Sequence, residues 1–278
     1  MNSSAVPLPL KPRDFKSGLK PVWCPGCGDF AVLNAITKAL AFLELPRSDV
    51  AFITGIGCSS RIAAYTSVYG FHGLHGRALA LAAGLKAARP DLAVLVAGGD
   101  GDGLSIGGNH FIHACRRNMD LTYLIMDNEV YGMTKGQASP TTAPDWSHGK
   151  LTPQGTGIRP FQPAGLALSA GASFVARGFT GDPNGLAKMI VEAIRHPGFS
   201  FIQALSPCPT FRPEQMQWKR QVRGFSEEAT ADPIVAAQRI QADDGMSTGI
   251  IYRRDYPVFR PGGAAESTVE DFEQEFVI

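Results

Sequence analysis

A chain of 278 residues with 26 basic and 25 acidic side chains has a formal charge of +1 and offers no field for nucleic acid. Hydrophobic residues make up 44%, too many for wholesale disorder and enough for a large core, yet no apolar run approaches the ~20 residues of a membrane helix. With a proline-broken start that lacks a signal peptide, the sequence reads as a soluble cytoplasmic protein without membrane or nucleic-acid partners.

In chain order, Cys24 and Cys27 enclose Pro25 and Gly26, and apolar residues then recur at helical spacing over 30–45. The run 50–56 reads as a strand ending at Gly57 and Cys58. Residues 77–89 predict a helix of small residues stopped by Pro90. An apolar strand over 92–97 runs into 98–103, where glycines alternate with Asp100 and Asp102. A helix is predicted over 109–117, then a second apolar strand over 121–126 closed by Asp127 and Asn128. The segment 136–171, dense in Gly, Pro, Ser and Thr, reads as an ordered excursion over the site or a partner surface. Beyond it come a strand over 172–176, a helix over 185–195 and an apolar strand over 199–205 stopped by Ser206 to Pro209. The remainder holds a short helix over 232–242, loop and a terminal acidic run.

Strands that are apolar throughout and alternate with helices indicate an α/β fold: a mostly parallel sheet with helices on both faces. In such sheets ligands bind beyond the carboxyl ends of the strands. Four strand ends here carry Gly57 and Cys58, the 98–103 turn, Asn128, and Cys208.

Asp100 and Asn128 each stand just past an apolar strand with one helix between, so a right-handed crossover brings them to the same sheet edge. A carboxylate and an amide oxygen suit Mg²⁺, which keeps oxygen ligands and is usually completed by substrate phosphates. An EF-hand fails, because Leu104 and Phe111 stand where oxygen ligands are needed. The spacing resembles the thiamine diphosphate motif, in which GDG is followed by a pair of asparagines; Asp127 replaces the first of them and Asn128 is retained. The five cysteines, at 24, 27, 58, 115 and 208, form no disulfide framework. Cys24 and Cys27 alone admit a thioredoxin-like couple or half a zinc site; with Cys58 and Cys208 they can hold zinc or a [4Fe–4S] cluster. Cys115, inside a helix, reads as a small core residue.

Taken together, WCPGCGDF (23–30), GIGCSSR (55–61), HGLHGRA (72–78), GDGDGLSIGGNHFIHACRRN (99–118) and DNEVYGMTKGQASPTT (127–142) closely resemble the β subunit of 2-oxoacid:ferredoxin oxidoreductases, over residues 20–220. The wording of GIGCSSR and HGLHGRA is nearest the 2-oxoglutarate-using branch. The resemblance implies thiamine diphosphate, Mg²⁺ on Asp100, Asn128 and the Val130 carbonyl, and one [4Fe–4S] cluster on Cys24, Cys27, Cys58 and Cys208. It places Gly57, Cys58, Ser59, His75, Gly76, Arg77, Gly99, Asp100, Gly101, Asp102, Asn128, Val130, Gly132, Met133 and Thr134 at the cofactor. His75 would orient diphosphate or substrate, and Arg61 would grip the substrate carboxylate in paired hydrogen bonds.

The implied reaction is the decarboxylation of a 2-oxoacid, with electrons passing singly to ferredoxin and the acyl group to coenzyme A. One α/β unit cannot also supply the glutamate that activates the cofactor. An α subunit is therefore expected, in an α2β2 assembly, with no turnover from this chain alone. Residues 1–220 are expected to form the cofactor- and cluster-binding domain and 221–278 an extension packing on it or on the partner. His110 and His113 are expected to support the motif loop by hydrogen bonds, and His148 and His196 to lie at the surface.

Overall fold

The structure, a computed structural model, describes residues 9–149 and 151–260. Helix α1 (Asp29–Phe42) precedes β1 (Val50–Thr54), β2 (Tyr69–His72), α2 (Ala78–Ala88), β3 (Ala93–Gly99), α3 (Gly108–Arg117) and β4 (Leu121–Asp127). Then follow α4 (Pro163–Ser169), β5 (Phe174–Phe179), α5 (Pro183–Arg195), β6 (Phe199–Leu205), α6 (Trp218–Gln221), β7 (Arg223–Gly224), α7 (Pro233–Ala242) and β8 (Ser247–Arg253). The strands lie in the order β2-β1-β3-β4-β6-β5-β8-β7. From β2 to β5 every pairing is parallel, and β8 joins β5 antiparallel.

The expected architecture is present, and burial explains why it was readable. Every residue of β1, β4 and β6 is buried, because helices cover both faces of the sheet, so these strands must be apolar on both sides. One core layer joins α2, α3, α4 and α7 to one face through Leu79, Phe111, Ala167 and Ile240. The other seats α1 and α5 through Val32, Ile36, Leu186 and Ile190. Cys115 is fully buried in the first layer, as a core residue should be. Among the described residues no helix is long and apolar enough to cross a membrane.

The chain leaves β1 for β2 on one side and returns to β3 on the other, so the sheet's switch point falls between the carboxyl ends of β1 and β3. Gly57, Cys58 and Asp100 sit there.

The structure adds elements that the sequence did not announce and corrects one expectation, the surface placement of His196. The excursion 136–171 contains a helix, α4, whose Ala164 and Ala167 are buried on the sheet. The edge strand β2 has all four residues exposed, so it lacks the apolar run that marks its neighbours. Residues 221–260 supply β7, α7 and β8, and β8 pairs directly with β5; the terminal acidic run lies outside the described residues. His148 is exposed, but His196, which caps the carboxyl end of α5, is buried to 1% exposure. Its Nε2 lies 2.8 Å from Ser173 Oγ, and that hydroxyl donates to Asn118 Oδ1 at 2.6 Å. Nε2 therefore carries the proton, and Nδ1 is left buried without a hydrogen bond.

Candidate functional site

At the switch point a cavity of about 390 Å³ opens, lined by the turn after β1 (Gly57, Cys58, Ser59), the turn after β3 (Gly99 to Asp102) and the segment after β4 (Asn128, and Val130 to Thr134), with His75 at its side. Gly57 has φ +122, a conformation that a side chain would strain, and this lets the chain bend sharply from β1 into the cysteine turn. A larger hollow of about 600 Å³ between α5 and β7–β8 is lined by none of these residues.

Asp102 braces the cavity floor. It starts a single π-turn (Asp102–Ile106), and its Oδ1 accepts the backbone N–H groups of Ile56 at 2.9 Å and Gly76 at 2.8 Å. His75 Nδ1 also stands 2.9 Å from that oxygen, without the direction of a hydrogen bond. One carboxylate thus ties the turns after β1, β2 and β3 together. Burial raises its pKa, while the two N–H donors and His75 pull it back down.

Asp100 and Asn128 come together at the cavity wall, as the crossover argument requires. Asp100 Oδ2 takes hydrogen bonds from Ser139 and from Thr141, the latter at 2.7 Å. Thr141 Oγ1 is also 2.8 Å from Asp127 Oδ1. A hydroxyl has one proton, so Thr141 cannot serve both carboxylates when both are ionised. Burial and the neighbouring Asp127 charge push the Asp100 pKa up, which marks a carboxylate in need of a cation. Asn128 Oδ1 accepts the Val130 N–H at 3.1 Å, folding the 128–130 segment so that all three lining groups border one space. Two oxygen-bearing side chains beside a glycine-walled cavity fit Mg²⁺ and a diphosphate.

The cysteine-bearing segments also meet. Trp23 Nε1 donates to the Cys58 carbonyl at 2.7 Å, and Gly28 N donates to the Pro207 carbonyl at 3.1 Å, fastening the arm that carries Cys24 and Cys27 to the loops of Cys58 and Cys208. Burial pushes the Cys58 thiol up to about 11 and the Cys27 thiol higher still, and each is raised further by Cys208. Thiols that resist ionising alone, held close and unbridged, fit a site where a metal takes the proton's place. Among the described residues no three His, Cys, Asp or Glu side chains crowd tightly enough for a single ion. A cubane spreads its four sulfur ligands more widely than one ion does.

Not every candidate reaches the cavity. Arg61 is exposed on the turn of 3₁₀ helix after Cys58, outside the lining, though near enough to lower the Cys58 thiol pKa. Gly76 and Arg77 are not in the lining either; Gly76 acts on Asp102, and Arg77 precedes α2. His110 and His113 make no hydrogen bond to the motif loop, whose bracing falls to Asp102; His113 Nδ1 is buried without a partner. Sequence reasoning missed Ile56, Tyr131 and Gln137 in the lining, Ser139 and Thr141 on Asp100, and Asp29 beside the cysteines. Tyr131 and Gln137 stand inside the DNEVYGMTKGQ run, a signal that could have found them.

Residues 55–204 match the C-terminal TPP binding domain of thiamine pyrophosphate enzymes. Over 254 residues the chain is 39% identical to 2-oxoacid:ferredoxin oxidoreductase 2, subunit beta, of Aeropyrum pernix, covering 86% of this chain and 82% of that protein. This chain belongs to the β subunits of the 2-oxoacid:ferredoxin oxidoreductases. The 2-oxoglutarate oxidoreductase subunit KorB of Mycobacterium tuberculosis is 50% identical over 203 residues, 73% of this chain but only 54% of that protein. The chain thus spans about half the length of that relative. Among solved structures, a 2-oxoglutarate:ferredoxin oxidoreductase from Magnetococcus marinus, with 2-oxoglutarate, coenzyme A and succinyl-CoA bound, superposes with a TM-score of 0.86 at 42% identity, over 90% of this chain and 87% of that one. As a member of this family the chain is part of a thiamine diphosphate-dependent oxidoreductase, and the cavity at the switch point falls within the matched domain.

Proposed function

We propose that this chain is the cofactor- and cluster-bearing β subunit of an enzyme that oxidatively decarboxylates 2-oxoglutarate to succinyl-CoA and CO₂, or runs the reverse. Two electrons per substrate would pass singly through a [4Fe–4S] cluster to ferredoxin. The observation that carries the reading is the double position of Cys58: it lines the cavity with Asp100 and Asn128, and it is electrostatically close to Cys24 and Cys208. A cluster held there would sit beside the reacting centre. The named 2-oxoglutarate enzymes among the relatives support the substrate.

Bound thiamine diphosphate supplies the carbon nucleophile and electron sink that a 2-oxoacid needs to lose CO₂. This chain's residues hold and surround it. Asp100, Asn128 and the Val130 carbonyl would bind Mg²⁺, with Ser139 and Thr141 fixing the Asp100 carboxylate. Gly57, Ser59, Gly99 and Gly101 line the cavity and would hold the diphosphate by backbone N–H groups and the Ser59 hydroxyl; Gly132, Met133 and Thr134 line it as well. Asp102 sets the position of His75, whose ring borders the substrate's space. Arg61, exposed outside the cavity, would meet the distal carboxylate of a substrate that projects from it.

An α subunit would contribute the activating glutamate, in an α2β2 assembly. The surface beside the cavity suits such a partner: Phe71, Leu74, Leu81 and Ile106 are exposed there, with Leu74 at 73% exposure, next to the edge of β2, which is unpaired among the described residues. Co-expression with that subunit and a coenzyme A-dependent viologen-reduction assay tests the substrate. 2-Oxoglutarate should give the higher kcat/KM over pyruvate, and Arg61→Ala should raise its KM at least about tenfold, the scale of one lost charged hydrogen bond. Preference for pyruvate would replace the substrate; an unchanged KM would remove the role given to Arg61.

A further inference from the structure

Asp29, the first residue of α1, is 1% exposed and faces the cysteine-bearing loops. Its Oδ1 accepts from Ser206 Oγ at 2.8 Å, while Oδ2 is buried without any partner. Among the described residues no Lys, Arg or His forms an ion pair with it. The Cys27 side chain lies beside both its carboxyl group and its backbone N–H, and its charge also reaches Cys58 and Cys208. A helix N-terminus with an acidic first residue needs none of this burial, since the same favourable dipole contact is available at the surface. An unpaired buried carboxylate is costly, and here it stands two residues from Cys27 and is hydrogen-bonded to Ser206, two residues before Cys208, so it lies between two of the loops that carry the sulfur ligands assigned to the cluster.

We propose that Asp29 is a positioning residue that sets the electron affinity of the cluster: its carboxylate is buried from water and paired with no cation, so its negative charge, when ionised, opposes adding an electron and lowers the reduction potential. Cluster potential follows net charge, hydrogen bonding to sulfur and solvent exposure, and Asp29 supplies the first of these at close range. Ser206, its hydrogen-bond donor, is neutral and leaves the charge in place. The inference rests on the cluster proposed above.

The α–β complex carrying wild type, Asp29→Asn or Asp29→Glu is purified anaerobically. Iron and sulfide are counted, and the midpoint potential is read by an EPR-monitored redox titration at one mildly alkaline pH. With wild-type iron content, Asp29→Asn should shift the potential positive and Asp29→Glu should stay near wild type. An unchanged or more negative potential in Asp29→Asn overturns the proposal. So does an equal shift in both variants, which would make shape rather than charge the cause. Loss of iron from Asp29→Asn alone, or from both variants, would make Asp29 an assembly contact and overturn it too. An iron-free wild type would be a different failure, that of the cluster itself.

Discussion

At the residue scale, single buried carboxylates do most of the positioning. Asp102 is held by two backbone donors and flanked by His75, so it cannot yield. A Cβ at Gly55 would fall 2.1 Å from Asp102 Oδ2. Gly55→Ala should therefore destabilise the protein by ~1–3 kcal/mol, the usual cost of overpacking, seen as a lower midpoint in urea; wild-type stability would mean Asp102 moves freely. His196 gives a prediction in pH. Burial and the Arg253 charge hold its pKa below the ordinary 6.5, against weaker opposing pulls from Asp255 and Asp120. In the unfolded chain the ring takes a proton near 6.5, whereas in the fold it stays neutral to lower pH. The stabilisation is thus present above 6.5 and is lost as pH falls from there towards the folded pKa. Thermal unfolding of wild type should weaken more across that acid range than that of His196→Gln; parallel curves would refute it.

At the scale of elements, the strand ends that carry chemistry were legible because each follows a short, wholly apolar run, and their glycines, cysteines and acids are local signals. The partners of those ends were not. Ser139 and Thr141 reach Asp100 across 39 and 41 residues, and nothing in the Gly- and Pro-rich segment marks which hydroxyls turn inward. Strand β2 is exposed throughout, so no apolar pattern announces it. Strand β8 contains Gly249 and pairs across a bulge between Val175 and Ala176, which breaks the regular alternation. His196 reads as a polar residue at a helix end, and only the Ser173–Asn118 contact shows why it is inside.

The same elements form a buried polar chain from β5, across β6, to the site. Arg177 on β5 pairs with Asp243 at 2.5 Å and donates to Gln203 at 3.1 Å; Gln203 on β6 donates to Asp127 at 2.8 Å, and Asp127 shares Thr141 with Asp100. Removing one member leaves a buried charge unpaired. Arg177→Leu should cost ~3–5 kcal/mol in denaturant unfolding, against under ~0.5 kcal/mol for the exposed Arg89→Ala. A loss below ~1 kcal/mol would show that the chain is not a structural tie.

At the scale of the whole molecule, the site is half-open. The cavity borders an apolar patch and a strand edge that is unpaired among the described residues, and the relatives it matches are named as subunits. Leu74→Glu, at the most exposed point of the patch, should abolish co-elution with the α subunit on size-exclusion chromatography while leaving iron content unchanged. Retained assembly would move the interface elsewhere. The isolated wild-type chain should show no turnover with any 2-oxoacid, because in the proposed assembly the α subunit would supply the activating glutamate.

In the proposed enzyme, thiamine chemistry and one-electron transfer meet at Cys58. Iron and acid-labile sulfide on anaerobically purified protein, with an EPR spectrum after dithionite reduction, test it most directly. The expected result is about four irons per chain and a reducible cubane signal, lost on Cys58→Ser. Stoichiometric zinc, or a metal-free chain after anaerobic handling, would contradict it and leave a thiamine-dependent lyase subunit without the electron path.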